Sequence, residues 1–377
     1  MSTIKVNNLV PPNTGETVTI NGVDMPTAGA LSNRNMIING AMQVAQRIAA
    51  PNTQPGVQYT GYYTVDRFQT GVSLAGTWTI SQSTDAPAGF SNSIKYDCTA
   101  AATSLSSTSE LWLAQKIEAI SLQHLAYGTA DAQDCTFSFY FKTNKTGVYT
   151  VELFQTDAGR TIGFEMNVTQ TGWQRYEFVV PGDTAGTINR DNGIGLWCFI
   201  WMASGTGKTS GSFTNGTWGG NVNTNRLSPN MVNFADSTSN ELYVTGYQFE
   251  LGRKATPFEH RSYGDELQRC ERYFQTYGPV FGITFSNYSG GSAYGALHLR
   301  TEMRSPPTIH HLTAFNSTHL NYYSNGGTGR TLTSFGLNQG QPHVCQFVIG
   351  SANLGGQGFA GHLDINQTNA IQIQAEL

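Results

Sequence analysis

The sequence predicts an all-β protein with more than one domain, and its composition supports this prediction. Only 12% of the 377 residues are charged, about half the usual share. Forty-two residues are glycine, and Ser, Thr and Asn fill much of the remainder, as is typical of short strands joined by tight turns. Hydrophobic residues make up 39% of the chain, which is enough for real cores, and the length favours about two or three domains.

The composition also argues against several classes of partner. The net charge of −4 provides no basic surface, so nucleic acid is not expected as a partner. No window approaches about 18 consecutive apolar residues, so no membrane insertion is expected. The N-terminus has neither the basic nor the apolar region of a signal peptide. The five cysteines lack any metal-type spacing and are expected to be reduced, mostly buried thiols of a protein made in a cytosol.

Residues 1–32 alternate short β-prone pieces with Pro and Gly breaks. Strands of this length cannot bury a face by themselves. Two interpretations remain open, an attachment arm that pairs with another chain and a disordered leader.

Residues 33–260 carry the strongest strand signals and predict a β-sandwich of the jelly-roll kind. In "CTFSFYFKT", Phe137, Phe139 and Phe141 occupy one face. The turn after Lys145 predicts that "VYTVELFQT" is the hairpin partner of this strand. The apolar run "IGLWCFIWMA" is typical of a strand buried on both faces. Residues 109–125 fit a helix or a pair of strands equally well.

Residues 261–277 form a dense block of charges that predicts a short linker helix. Ser262 and Asp265 have the spacing of a capping box. The apolar residues of this block recur at steps of three and four, namely Leu267, Cys270, Phe274 and Tyr277. A helix of roughly 12 residues is marginal alone in water. Its stripe therefore packs either on its own sandwich or around a three-fold axis formed by Leu267, Cys270 and Phe274 of three chains.

Residues 278–377 predict a small C-terminal β tip domain. This part contains no lysine, only three arginines and three acidic residues, and six of the eight histidines. Its strand-like stretches are separated by Gly-rich turns.

No catalytic or cofactor site is predicted. The segment "SGTGKTSG" resembles a phosphate-binding loop, but Met202 stands where the first glycine is needed and no helix follows. His310 and His311 are adjacent, so on a strand they face opposite sides and cannot bind one metal ion within one chain. Nothing in the sequence brings together the acids that a glycosidase would need, which would come from Glu152, Glu165, Glu177, Asp183 and Asp191.

Two polar loops with aromatic residues are candidate carbohydrate-binding sites, because sugar sites combine aromatic platforms with amides. The first loop contributes Trp218, Asn221 and Asn223, and the second contributes Asn321, Tyr322 and Tyr323. A purely structural role for these aromatic residues is the alternative.

Several motifs occur together and in order, namely "NRNMIINGAMQVAQR", "YTVDRF", "WQRYEFVVPGDTAG" and "YVTGYQFELGRKATPFEHRSYGDELQRCERYF". Together they resemble tail-fibre and related virion proteins of tailed bacteriophages, particularly those of marine phages. The resemblance covers roughly residues 1–275 and is most specific in the last motif.

The resemblance implies a non-enzymatic virion protein of the tail, made in the bacterial cytoplasm, with a jelly roll like that of carbohydrate-binding modules. It implies a homotrimer that attaches to other tail proteins through residues 1–32 and recognises a host cell-surface polysaccharide with its distal part. A virion adaptor or capsid decoration protein is one alternative. A glycan-acting enzyme, or the accessory binding module of such an enzyme, is another.

Overall fold

The structure is a computed structural model that describes residues 19–20, 23–24, 32–47, 52–312, 320–324, 328–330, 332–351, 353–354, 357–365 and 371–377. The chain divides into two compact units. The first unit comprises Met1–Gln43, Thr53–Tyr63 and Phe68–Arg261, and the second comprises Val44–Asn52, Thr64–Arg67 and Ser262–Leu377. Apart from the two short strands at 19–20 and 23–24, the predicted attachment arm lies outside the described residues.

The first unit is a sandwich of antiparallel sheets, which confirms the all-β prediction. Its strands, in chain order, are β1 Thr19–Ile20, β2 Val23–Asp24, β3 Thr53–Val57, β4 Gly61–Tyr62, β5 Phe68–Ser73, β6 Thr77–Ser83, β7 Ser93–Ala100, β8 Glu110–Glu118, β9 Cys135–Thr143, β10 Gly147–Gln155, β11 Arg160–Val168, β12 Gln174–Val180, β13 Ile194–Ser204, β14 Gly219–Gly220 and β15 Glu241–Leu251. A seven-stranded sheet has the order β14-β11-β10-β13-β8-β5-β4, and a six-stranded sheet has the order β12-β9-β15-β7-β6-β3. A short helix, α1 (Thr206–Thr209), follows β13.

The core of the first unit lies between the two sheets and is rich in aromatic rings. Phe137, Phe139 and Phe141 are at most 1% exposed, as their alternation predicts. The hydroxyl of Tyr247 in one sheet donates to the backbone oxygen of Cys198 in the other at 3.0 Å, and both residues are fully buried.

Two local predictions for the sandwich are revised by the structure. The strands β9 and β10 are not hairpin partners, because β9 pairs with β12 and β15 while β10 pairs with β11 and β13 in the opposite sheet. The side chains of Phe141 and Tyr149 instead meet edge-on across the core at 5.2 Å. Residues 109–125, which the sequence left open, form β8 followed by the 3₁₀ helix Ala119–Leu125.

The C-terminal segment of the second unit begins with helix α2 (Tyr263–Glu271) and continues as two antiparallel sheets. Its strands are β16 Phe274–Tyr277, β17 Val280–Asn287, β18 Ser292–His298, β19 Thr308–Leu312, β20 Leu320–Ser324, β21 Thr328–Arg330, β22 Leu332–Gln341, β23 Val344–Ser351, β24 Ala360–Ile365 and β25 Ile371–Gln374. A three-stranded sheet has the order β16-β25-β19, and a seven-stranded sheet has the order β21-β20-β24-β17-β18-β23-β22. None of the helices in the described ranges is long and apolar enough to cross a membrane.

Helix α2 has the predicted cap but not the predicted length. The hydroxyl of Ser262 accepts a hydrogen bond from the backbone nitrogen of Asp265 at 3.2 Å. The helix ends at Glu271, and Phe274 already belongs to β16. Cys270 and Phe274 are fully buried in the second unit of a single chain. The expectation that these two residues line a three-fold axis is therefore corrected, because they have no surface left for another chain; Leu267 is half-buried.

Candidate functional site: an aromatic face on the seven-stranded sheet

The outer face of the seven-stranded sheet in the first unit carries a ladder of aromatic side chains. Alternate residues of a strand face opposite sides, so Trp197, Phe199 and Trp201 of β13 point away from the core between the sheets. The ring centroids of Trp197 and Phe199 lie 5.0 Å apart, and those of Phe199 and Trp201 lie 5.4 Å apart. The ring centroid of Trp112 in β8 lies 5.1–6.1 Å from the centroids of all three rings. These contacts fix the rotamers of the whole ladder.

One end of the ladder is covered by a loop that an ion pair holds in place. Glu152 of β10 is fully buried and accepts hydrogen bonds from Trp201 Nε1 at 2.8 Å and Thr161 Oγ1 at 2.6 Å. Both of its oxygens also accept from the guanidinium of Arg226, at 2.7 and 2.8 Å. The same guanidinium lies 5.7 Å from the Trp201 ring. Glu152 therefore acts as the anchor of the covering loop.

At the other end of the ladder the aromatic side chains are partly exposed, although the Arg226 guanidinium of the covering loop still lies 5.3 Å from the Phe154 ring. Trp197 is half-buried, and on the neighbouring strand it lies directly opposite Phe154, which is also half-buried. On its other side Trp197 faces Lys116 of β8, whose Nζ is 4.2 Å from the Trp197 ring and 5.8 Å from the ring of half-buried Tyr62. We call Phe154, Trp197, Lys116 and Tyr62 the open aromatic row. The three rings of the row are half-buried and Lys116 is only 6% exposed, so the row offers partly exposed aromatic surface to a ligand with one apolar face.

The sequence analysis missed this row, although one signal for it is present. In "LWCFIWM" the aromatic residues Trp197, Phe199 and Trp201 alternate with aliphatic or sulfur-containing ones. The run by itself predicts a strand buried on both faces. Alternation of this kind also indicates that one face of the strand is aromatic. Phe154, Lys116 and Tyr62 join this face only through the pairing of neighbouring strands, which the alternation does not reveal.

The first predicted sugar loop lies at the opposite edge of the same sheet from Tyr62. Trp218 precedes β14 and is half-buried; its Nε1 donates to the backbone oxygen of Pro181 at 2.7 Å, and its ring meets Tyr127 edge-on at 6.0 Å. Asn221 and Asn223 are exposed. Trp218 and Asn221 flank the two residues of β14, and Asn223 begins the 3₁₀ turn Asn223–Asn225; their role in carbohydrate binding stays a prediction.

The second predicted sugar loop requires a correction. Tyr322 is fully buried, and its hydroxyl donates to Asn287 Oδ1 at 2.8 Å, so its ring cannot serve as a surface platform. The period of two along β20 explains this, because it turns Tyr322 inward and its neighbour outward. Tyr323 is half-buried and stacks on His362 with ring centroids 5.2 Å apart. Asn321 belongs to β20, but its side chain lies outside the described residues.

The acids considered for hydrolysis are engaged by other groups of the chain. Glu165 lies on the same sheet face as Glu152 and accepts from the hydroxyl of Ser228 and from Asn230 Nδ2. Asp183 is 2% exposed and is paired with Arg160. Within the described ranges no three His, Cys, Asp or Glu side chains are arranged to hold a metal ion.

No family model matches the chain, and no curated protein matches it. Partial similarities to solved structures are found. The CBM22-1 xylan-binding domain from Paenibacillus barcinonensis Xyn10C is 9% identical, with a TM-score of 0.27 over 54% of this chain and 94% of that one. The family 11 carbohydrate-binding module of the cellulosomal cellulase Lic26A-Cel5E of Clostridium thermocellum is 12% identical, with a TM-score of 0.23 over 58% and 96%.

An arabinose-bound α-L-arabinofuranosidase, MgGH51, is 12% identical, with a TM-score of 0.31 over 63% of this chain. The chain spans only 30% of the length of that enzyme. These similarities are too low to carry an argument about function. The functional assignment therefore rests on the aromatic face itself.

Proposed function

We propose that the protein is a carbohydrate-binding protein and that the open aromatic row is its glycan site. The observation that carries this proposal is the row itself, in which the half-buried rings of Phe154, Trp197 and Tyr62 lie on one sheet face around Lys116. A pyranose ring has an apolar C–H face and a rim of hydroxyl groups. The exposed parts of the aromatic rings can pack on the first, while the largely buried ammonium group of Lys116 lies against the rings of Trp197 and Tyr62 and holds them in place.

The construction of the face favours binding because the row is rigid. The Trp197 ring stacks on the ring of Phe199 in the same strand at 5.0 Å with an interplanar angle of 8°, and it meets the Trp112 ring edge-on at 5.9 Å. A platform that is already ordered loses little conformational entropy when a ligand binds.

We further propose that this binding serves a virion protein of a tailed bacteriophage, namely a trimeric tail fibre that attaches through residues 1–32 and recognises a host cell-surface polysaccharide. The sequence motifs support this setting. Two of them contain residues that bind each other: the backbone nitrogen of Asn35 donates to Glu259 at 2.8 Å, and Arg261 donates to the backbone oxygen of Ile37 at 3.0 Å. Light scattering that gives the mass of three chains would support the fibre, whereas a monomer would favour the adaptor alternative.

Native gels that contain a polysaccharide test the glycan site directly. The full chain is run through mannan, laminarin, xylan and dextran, with alginate as a charged comparison. We expect at least one neutral polysaccharide to retard the wild type, and Trp197→Ala to weaken its apparent affinity about tenfold or more, in line with the loss of one aromatic platform.

Trp218→Ala is the matched control, because it removes the tryptophan of the loop that the sequence put forward. Retardation that depends on Trp218 and not on Trp197 would move the site to that loop. Melting temperatures of both variants separate loss of binding from loss of folding.

A further inference from the structure

The seven-stranded sheet of the second unit has one buried and one open face. Phe285, Phe347 and Leu363 of neighbouring strands are at most 1% exposed and fill the core of this unit. The alternate positions of the same strands point outward and carry hydroxyl and amide groups such as Thr284, Ser286 and Gln346. Beyond residue 278 the sequence has three arginines, three acids and no lysine, so this part of the unit carries few charges.

Two tyrosines form an aromatic corner at one end of this open face. Tyr288 is 66% exposed, and its ring lies 5.8 Å from that of Tyr294 at an interplanar angle of 87°. Both residues are on the outward side, because Ser286 of β17 lies directly opposite Tyr294 of β18 and Tyr288 follows two residues later. Phe359, which is 46% exposed, lies at the same end of the sheet, since its backbone oxygen accepts from the nitrogen of Asn287 at 2.8 Å.

The corner is held in place from both sides. The backbone nitrogens of Tyr288 and Ser289 both donate to the backbone oxygen of Ser292, at 2.9 and 3.1 Å, which closes a tight turn. On the inner side, Asn287 is 3% exposed, and its Oδ1 accepts from the buried hydroxyl of Tyr322 at 2.8 Å. Tyr322 therefore supports, from within the core, the strand end from which Tyr288 emerges.

We infer that this corner is a second glycan-binding site, specific for an uncharged saccharide. Two rings at right angles offer one face for stacking and one edge for lateral contact. The hydroxyls of Tyr288 and Tyr294, with the exposed hydroxyl of Ser286, can donate to and accept from the sugar rim. The small number of charges after residue 278 favours a neutral ligand. The inference rests on the proposed glycan-binding role of the protein, but it shares no residue with the open aromatic row.

Variants of the full chain separate the two sites in the same native gels. Tyr288→Ala and Tyr294→Ala are each combined with Trp197→Ala, so that retardation from the first unit is removed. Tyr263→Ala is the matched control, because this tyrosine is also in the second unit, is 55% exposed and lies on helix α2 away from the sheet face. We expect the Trp197→Ala protein to keep residual retardation by a neutral polysaccharide, which Tyr288→Ala weakens about tenfold and Tyr263→Ala leaves unchanged.

Tryptophan emission supplies an independent readout. All six tryptophans lie in the first unit, so saccharide binding at the corner should leave the emission of the Trp197→Ala protein unchanged while retarding it.

The outcomes are distinguishable. Equal mobility of the Tyr288→Ala and Tyr263→Ala proteins overturns the corner and leaves the open aromatic row standing. If Tyr288→Ala abolishes retardation while Trp197→Ala keeps it, the corner is supported as a glycan site and the open aromatic row is rejected. Retardation by alginate alone overturns the neutral ligand, and the absence of any retardation of the wild type rejects both sites. A Tyr288→Ala change that reduces the mass in light scattering, with gel mobility in polysaccharide unaltered, assigns the corner to a second copy of the chain instead.

Discussion

The second unit contains a buried cluster of charges, whereas the open aromatic row of the first unit contains one ammonium group among half-buried rings. In the cluster, the Glu376 carboxylate forms salt bridges with the guanidinium groups of both Arg47 and Arg67, and all three side chains are at most 6% exposed. The two guanidiniums also stack on rings, Arg47 on Phe274 at 4.0 Å and Arg67 on Tyr273 at 3.4 Å. Charges buried with this many partners hold segments together and are closed to ligands.

In this β protein with few charges, the buried charged groups and the groups that can bind a ligand lie in different places. The charged motifs are the most distinctive parts of the sequence, yet several of their side chains, such as Glu259 and Arg261, make internal contacts. The surface that can receive a ligand is built from aromatic residues that differ little from core residues in the sequence. The following predictions test whether the charged groups are structural, from the largest expected effect to the smallest.

Removing the shared carboxylate should have the largest effect. Glu376→Ala leaves two buried guanidiniums without their common partner, and we expect the free energy of unfolding of the second unit to fall by about 3–5 kcal/mol. Urea unfolding is followed by circular dichroism, because tryptophan emission reports on the first unit only. Glu302→Ala, at an exposed position, is the control; a loss below about 1 kcal/mol for Glu376→Ala would mean that the cluster is not structural.

The same cluster should make stability depend on pH. Burial raises the pKa of Asp66 to about 6 from its ordinary value of 3.8, against the opposing effect of Arg47. The folded state then binds more protons than the unfolded state between these values, so this contribution to stability is complete below about pH 4 and is lost as the pH rises through 6.

Asp66→Asn cannot ionise, so its stability relative to the wild type should rise by about 3 kcal/mol between pH 4 and pH 7. Unfolding free energies of both proteins at a series of pH values measure this difference. Parallel curves would show that Asp66 does not titrate in this range.

The anchor of the covering loop should matter somewhat less. Glu152→Gln keeps the shape of the side chain but removes the charge that pairs with Arg226, and we expect a loss of about 2 kcal/mol. Residues 205–235 should then be cut faster by a protease of broad specificity. Glu177→Gln, at an exposed position, should change neither quantity, and equal cleavage rates for the two variants would contradict the anchoring role.

The helix cap should have the smallest effect. Ser262→Ala removes the acceptor for the backbone nitrogen of Asp265 and should lower the stability of the second unit by about 1 kcal/mol, while Ser262→Gly should cost only a few tenths. Urea midpoints of the two variants give the comparison. Identical midpoints would indicate that the cap contributes nothing.

The parts of the structure that depend on local periodicity could be predicted from the sequence. The alternation of Phe137, Phe139 and Phe141 gave the buried face of β9, and the spacing of Ser262 and Asp265 gave the start of α2. The partner of β9 could not be predicted, because alternation fixes the faces of a strand and not its neighbours.

The candidate site could not be assembled from the sequence for the same reason. Tyr62, Lys116, Phe154 and Trp197 come from four strands that are distant in the chain, and only the order β10-β13-β8-β5-β4 makes them a row. The predicted surface role of Tyr322 is wrong because the prediction treats its segment as an exposed loop. The segment is strand β20, which turns the Tyr322 side chain into the core.

The most direct test of the account is the protection of Trp197 by a bound saccharide. Acrylamide quenching of tryptophan emission is measured with and without the polysaccharide that retards the protein, in the wild type, Trp197→Phe and Trp218→Phe. The account predicts that the ligand protects the wild type and Trp218→Phe to the same extent and has little effect on Trp197→Phe. Protection that persists in Trp197→Phe and disappears in Trp218→Phe would contradict the assignment of the glycan site to the open aromatic row.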